Sequence, residues 1–332
     1  MARAPFGIDE CLNVRDSTWR GVDALDIRIL RTMAIRPFGA EAKDPRMLQP
    51  PRLARALGVT VDTVKARLRR MQEAGLLAGF QILPNLRHLQ RTGSAWLFQV
   101  PEGSDKEAAV QSAREVDGLL GLHDYLGRAI CLDFAYRDTD DLRQVLDQCI
   151  SATGDIRPRR FYDWDMPKVD RSLTAIDWRI IQALRGRAMR PLSEVATELG
   201  LALRTVKRRH DQMAHEGSFF IGPLLDPGRA RGILLFELVF RLRGEATRAT
   251  LHGIREAFAN ELVFAHVPHT GQPWNFNVLL HAESAADVDG LARRGAALPG
   301  VEAVEPWLIR QRIEGGRWID HDIPTRVPPV EA

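Results

Sequence analysis

Two short basic stretches carry the residues best suited to nucleic-acid chemistry. The first holds Asp62, Thr63, Lys65, Ala66, Arg69 and Arg70, and the second Arg204, Thr205, Lys207, Arg208 and Asp211. Val64, Leu68 and Met71 recur at i, i+4, i+7, as do Val206, His210 and Met213. On a helix each set makes one buried stripe and turns the first-named residues outward. Four Lys or Arg stand against two acids over residues 61–74, and again over 203–216. Such cations suit phosphate neutralisation and the acceptor edges of guanine. Any solvated helix carries charge, so the elements around these stretches decide between DNA and plain solvent.

Other chemistry-bearing residues assemble less well. His123, Tyr125 and Arg128 lie about Gly127; His266 and His269 precede Gly271, Trp274, Asn275 and Asn277. His266 and His269 are spaced i, i+3 across a proline and no third ligand is identifiable, so no metal site is expected. Cys11, Cys131 and Cys149 form no C-x-x-C pair, which speaks against a zinc site or a disulfide framework. There is neither a Gly-rich phosphate loop nor a nucleophile elbow. Trp96, Trp164, Trp274 and Trp307 suit sheet and interface packing rather than a cofactor box, and no cofactor is expected.

The positioning elements come twice. Leu25–Met33 resembles Ile176–Leu184 with its Asp and Arg in register, and Leu53–Gly79 aligns without a gap to Val195–Ile221, nine of 27 positions being identical. Each copy has a short helix (Pro51–Leu57 in the first), a Leu-Gly turn at Gly58 or Gly200, and then the basic helix. That is the order of a helix-turn-helix, in which the second helix enters the major groove. The first copy has extra residues within Arg36–Leu48, whose Pro and Gly mark a loop.

Strand, helix, strand, strand, helix, strand follow in both copies. The first runs over Ser94–Val100, Lys106–Val116, Leu119–Tyr125, Ile130–Tyr136, Asp140–Ile150 and Arg159–Trp164. The second runs over Ile233–Leu242, Thr247–Ala259, Leu262–Val267, Asn275–His281, Ala285–Ala296 and Ala303–Gln311. This βαββαβ order is ferredoxin-like, with both helices on one face of an antiparallel sheet. The fold class is therefore α+β, in two tandem units, each a winged helix-turn-helix followed by a ferredoxin-like domain.

The 332 residues suit two to four domains, and 45% hydrophobic with 27% charged residues is ordinary for globular chains. The net charge of +3 says little, because binding depends on where the cations cluster. No apolar run nears a membrane span of roughly 20 residues, and the N-terminus lacks the apolar core of a secretory signal, so the expected location is cytoplasmic with no membrane partner.

The Leu-Gly turn, the Thr-Val-x-x-Arg helix, the Gly after it and the βαββαβ domain together resemble the leucine-responsive Lrp/AsnC family of transcription regulators. The match covers about Asp23–Trp164 and Leu173–Ile313. The resemblance implies a sequence-specific regulator that binds double-stranded DNA, is modulated by a small-molecule effector and is not an enzyme. It also implies that the second unit replaces a second subunit in an intramolecular pseudo-dimer, with homo-oligomers beyond it. The family's effector cleft lies near a Gly matched by Gly127 and Gly271, which would bring in His123, Arg128, His266 and His269. The Asp that often stands three positions later is replaced by Ile130 and Trp274, which points away from a free amino acid. The same architecture resembles the sirohaem decarboxylases, and a tetrapyrrole lyase using His123, Tyr125 and Arg128, or His266 and His269 ahead of Trp274, Asn275 and Asn277, stays open as the alternative.

The expected domains are an arm (1–21), a winged helix-turn-helix (22–90), a ferredoxin-like domain (91–166), a linker (167–172) whose Ser172, or else Thr174, caps the next helix, a second winged helix-turn-helix (173–230), a second ferredoxin-like domain (231–315) and a peripheral tail (316–332). Asp62, Ala66 and Arg69 stand opposite Arg204, Arg208 and Asp211 in the repeat. Unlike readers prefer unlike half-sites, so the preferred DNA site is expected to depart from a perfect palindrome. In vitro selection from random duplexes measures this, and a symmetric inverted repeat as the best site would count against it.

Overall fold

The computed structural model describes residues 21–33, 48–164, 166–245, 248–265 and 273–327. In the first unit α1 (Ala24–Met33) is capped by Asp23, whose Oδ1 accepts from the amides of Leu25 (2.9 Å) and Asp26 (3.1 Å). Helix α2 (Pro50–Leu57) starts on two prolines, whose missing N–H groups would be orphans there anyway. It stops at Gly58, which takes φ 69°. Helix α3 (Val61–Glu73) begins at Thr60, whose hydroxyl accepts from the Thr63 amide. Strand β1 (Leu77–Pro84) follows.

The first ferredoxin-like domain contains β2 (Thr92–Gln99), α4 (Lys106–Ala113), β3 (Leu119–Tyr125), β4 (Ala129–Tyr136), α5 (Thr139–Thr153) and β5 (Arg159–Trp164). The second unit repeats the order with α6 (Ala175–Leu184), α7 (Leu192–Leu199), α8 (Leu203–His215) and β6 (Phe219–Leu225). Its other domain contains β7 (Leu234–Glu245), α9 (Arg248–Ala257), β8 (Leu262–Ala265), β9 (Pro273–Ala282), α10 (Ala285–Ala296) and β10 (Val301–Glu314). Thr174, rather than Ser172, caps α6, in a reciprocal capping box with Asp177.

The strand order is β5-β2-β4-β3-β10-β7-β9-β8, so two four-stranded sheets of the same internal order are joined edge to edge. The join is antiparallel pairing of Ile309–Glu314 with β3, made possible by the length of β10. Buried Asp124 holds it, accepting from Arg310 Nε (2.6 Å) and Gln311 Nε2 (2.9 Å) and pairing with Lys106 Nζ (2.7 Å). On one face of each sheet the apolar residues meet the domain's own helices: Phe98, Ile130, Leu132 and Phe134 in the first, and Phe236, Leu238, Phe240 and Leu280 in the second. Alternate residues point to the other face, where Ala95, Leu97, Tyr125, Cys131 and Phe161 meet Val239, Leu279, Trp307 and Ile309. The Tyr125 and Trp307 rings meet edge to face, 4.9 Å apart.

Each helix-turn-helix contributes one wing strand, and β1 pairs antiparallel with β6 of the other unit. A lone strand has no ladder partner on either edge, and the second copy supplies one. Residues 316–332 were expected to be a peripheral tail. Arg317–Thr325 instead forms α11, whose Ile319 and Ile323 are fully buried in the core shared by both helix-turn-helix units. Arg185 clamps this helix through Asp320, with Nε–Oδ1 at 2.5 Å. Polar Asp320, His321 and Asp322 mask its apolar face from a composition reading.

Ile319→Ala is expected to destabilise the fold by about 2–5 kcal/mol, the usual range for emptying a fully buried aliphatic site. Urea denaturation checks this, and a peripheral tail would give less than about 0.5 kcal/mol.

Candidate nucleic-acid interface

Each basic helix is anchored by one arginine and offers the rest. Arg67 pairs with Asp23 and with buried Asp26 (3.2 Å to Oδ2). At the repeat position, Arg209 Nη1 donates to Thr174 Oγ1 (3.1 Å) and Asp177 Oδ1 (3.0 Å). Arg28 caps the end of α2 through the Leu57 carbonyl (3.0 Å), and Arg179 reaches the Leu199 carbonyl (3.5 Å). These contacts fix both recognition helices against the helices before them, by the same residues in both units.

Asp62, Lys65, Ala66 and Arg69 on α3 are exposed and Arg70 is half-buried; Arg204, Lys207 and Arg208 on α8 are exposed. Thr63 is half-buried and bonded through its hydroxyl to Thr60 (2.8 Å), which gives it a capping role. Thr205 is half-buried. Asp211 is half-buried with Oδ1 3.4 Å from His210 Nδ1, so it faces its neighbour rather than lying free for a groove. His210 fills the stripe position with its ring 5.2 Å from Phe219.

A cluster of charge sets the electrostatics behind α8. Burial works against ionisation of Asp177, but hydrogen bonds from Thr174, Arg171 and Arg209 hold its carboxyl below the usual range. His88, in the 3-10 turn after β1, stands edge-on to Trp178 (6.3 Å). Burial and then the Arg171 charge push the His88 imidazole down to about 4.

The residues expected at an effector cleft end on different partners. His123 lies on the inner face between the sheets, where Glu237 accepts from Tyr125 Oη (2.6 Å) and Asn277 Nδ2 (2.9 Å) and meets His123 Nδ1 at 3.1 Å. Buried Asp133, 3.8 Å from His123 Nε2, accepts from Tyr162 Oη (3.1 Å) and Trp164 Nε1 (3.2 Å), and burial raises its carboxyl. Gly127 (φ 83°) makes the β3–β4 turn, and its carbonyl accepts from Lys106 Nζ (2.7 Å). Arg128 spends its guanidinium on the carbonyls of Val100 (2.6 Å), Pro101 and Ser104 (2.8 Å). The structure therefore does not bring His123 and Arg128 together, whereas His266, His269 and Gly271 lie outside the described residues. Glu237 and Asp133 were missed from the sequence, although each is a lone acid within an apolar strand, Leu234–Phe240 and Ala129–Tyr136. An acid so placed must find donors.

No protein-family model matches the chain, and no curated protein matches it in sequence. Solved structures do resemble it. The siroheme decarboxylase NirDL superposes with a TM-score of 0.53 at 11% identity over 92% of this chain and 100% of that one. NirDL in co-complex with an iron-uroporphyrin III analogue gives 0.51 at 13% identity, over 91% and 99%. Escherichia coli AsnC covers 46% of this chain and 97% of its own, at 19% identity and a TM-score of 0.31. What is shared with NirDL is the fold. NirDL has the same tandem arrangement of winged helix-turn-helix and ferredoxin-like domains, and at these identities the likeness carries no activity with it.

A histidine depressed to about 4 in the fold stays neutral there while the unfolded chain protonates near 6.5. Its contribution to stability is thus present above about pH 6.5 and is lost as pH falls towards 4. His88→Gln is expected to flatten that limb of the stability profile. Urea midpoints between pH 4 and 7 measure it, and an unchanged slope would refute the assignment.

Proposed function

We propose that the chain is a DNA-binding transcription regulator of the Lrp/AsnC type, in which one polypeptide presents both recognition helices of what is otherwise a dimer. The observation that carries this reading is the division of labour among the cations. Arg67 and Arg209 are consumed by buried acids, whereas Lys65, Arg69, Arg70, Arg204, Lys207 and Arg208 have no ion pair or hydrogen bond among the described residues. Unneutralised cations on rigidly anchored helices favour a polyanionic partner. In this reading Lys65, Arg69, Lys207 and Arg208 contact phosphates or guanine edges, while the joined sheets and paired wings hold the two helices in one body.

A second reading draws on the whole-chain likeness to NirDL, and makes the chain a tetrapyrrole enzyme on the same scaffold. Within the first unit the named candidates are engaged: His123 and Tyr125 with Glu237, and Arg128 with backbone carbonyls. Titration with an iron porphyrin, followed by visible absorption, separates the two readings, because a saturable spectral shift belongs only to the second.

For the regulator, affinity for a selected duplex is expected to fall steeply with salt, each neutralised phosphate contributing about −0.9 to the slope of log K against log salt. Lys65→Ala with Arg69→Ala, or Lys207→Ala with Arg208→Ala, should flatten that slope by roughly one per lost contact. Stability should stay within about 0.5 kcal/mol. Fluorescence anisotropy between low and high salt gives the slope. Salt-independent binding, or no binding to any duplex, would overturn the reading.

A further inference from the structure

The two recognition helices carry the same charge, four Lys or Arg against two acids on each, but the helices before them do not. On α2 the buried side is Leu53, Ala54 and Leu57, and Arg52 and Arg55 are exposed, one turn apart. On α7 the buried side is Val195 and Ala196, and the exposed charges are Glu194 and Glu198, again one turn apart. In the gap-free repeat Arg52 stands opposite Glu194, Arg55 opposite Thr197 and Ala56 opposite Glu198. Over the same 25 positions, six Lys or Arg stand against two acids at 50–74 and four against four at 192–216. The charge difference between the two motifs therefore lies in the first helix of each.

This correspondence in sequence is also one in space. Arg28 donates to the Leu57 carbonyl that ends α2 (3.0 Å), and Arg179 to the Leu199 carbonyl that ends α7 (3.5 Å). Arg67 and Arg209 tie the following helices to Asp26 and Asp177. Both first helices stop on a left-handed glycine, Gly58 at φ 69° and Gly200 at φ 64°, which sets the same turn into α3 and α8. Arg52 and Glu194 thus occupy one place on two copies of one motif.

The acids of α7 keep an outward charge. Arg190 pairs with Glu198 (2.6 Å) and lies 3.6 Å from Glu194, but its side chain is 9% exposed whereas those of the glutamates are 48% and 51%. The cation sits beneath the pair, and an approaching molecule meets the carboxylates first. One Arg against two Glu also leaves negative charge in excess at this place.

When a helix-turn-helix docks, its second helix lies in the major groove and its first crosses the phosphate backbone. Resting on the regulator reading, we propose that the first unit supplies the larger share of the electrostatic hold on DNA. Arg52 and Arg55 are phosphate contacts that add to those of α3, whereas Glu194 and Glu198 keep the backbone away from α7. Exposed guanidinium groups on the crossing helix can each reach a phosphate; carboxylates in the same place repel it within a Debye length, about 10 Å at 0.1 M salt. The second unit then holds DNA through α8 alone.

The probe is a fluorescein-labelled duplex of mixed sequence, long enough for both units, because phosphate neutralisation does not depend on sequence. Anisotropy at a series of salt concentrations gives the slope of log K against log salt. Arg52→Ala with Arg55→Ala should flatten that slope by about 1.8, about 0.9 for each lost contact. Ser193→Ala with Thr197→Ala, exposed positions of α7, should leave it unchanged. Glu194→Arg, which copies the first unit's residue, should tighten binding and steepen the slope by about one. A slope indifferent to the Arg52 and Arg55 pair, in a protein whose slope does respond to Lys65→Ala with Arg69→Ala, overturns the inference and leaves the regulator reading standing. So does a Glu194→Arg protein that binds no more tightly than the parent. Absence of binding to any duplex overturns both. Should the alanine pair lose its melting transition, Arg52→Gln with Arg55→Gln gives the same readout.

Discussion

Both ferredoxin-like sheets leave one face bare of helices, and that face must be covered. A four-stranded sheet with helices on one side exposes alternate apolar residues on the other, here Ala95, Leu97, Cys131 and Phe161 in one sheet and Val239 and Leu279 in the other. Joining two copies in one polypeptide meets the requirement without the entropy loss of bringing separate chains together. The rest follows from it. Once the inner faces meet, β10 can run on to pair with β3, and the helix-turn-helix units are held close enough for β1 and β6 to pair and for a common core to form.

The inner face is not wholly apolar, and its polar residues specify how the sheets meet. Glu237 comes from one sheet and Tyr125 and His123 from the other, while Asn277 comes from the strand beside Glu237. A buried carboxylate with these donors is tolerable, and a sheet that slid by one register would strand it. The pair Asp124 with Arg310 and Gln311 does the same at the join of the two sheets. Burial and the Glu237 charge raise the Tyr125 hydroxyl far above its usual range, so it stays protonated and donates across the interface.

Much of this was legible in the sequence, because the repeat shows itself through residues whose contacts are also repeated. Asp26 and Asp177, Arg28 and Arg179, and Arg67 and Arg209 align, and each pair makes the same contact in its own unit. The βαββαβ order was readable from alternation, with Leu119–Tyr125, Arg159–Trp164 and Ala285–Ala296 found at their full bounds. Helix α11 was not readable, since its two buried isoleucines sit among charges and a proline. Nor were the shared wing and the inter-sheet acids, which exist only once the two copies meet, and nothing local in either strand reports its partner.

The two copies have also diverged where they face outward. The anchoring arginines are kept while Asp62, Ala66 and Arg69 become Arg204, Arg208 and Asp211, and Asp211 turns towards His210. In a dimer of identical chains such a change would appear on both helices at once. Within a single chain each helix is free to change alone, as long as the Asp–Arg clamp at its base and the pairing of its wing are preserved. The shared contacts thus lie at the back of α3 and α8 and the differences at the front, which is the distribution expected where the fold constrains only the inner face of each helix.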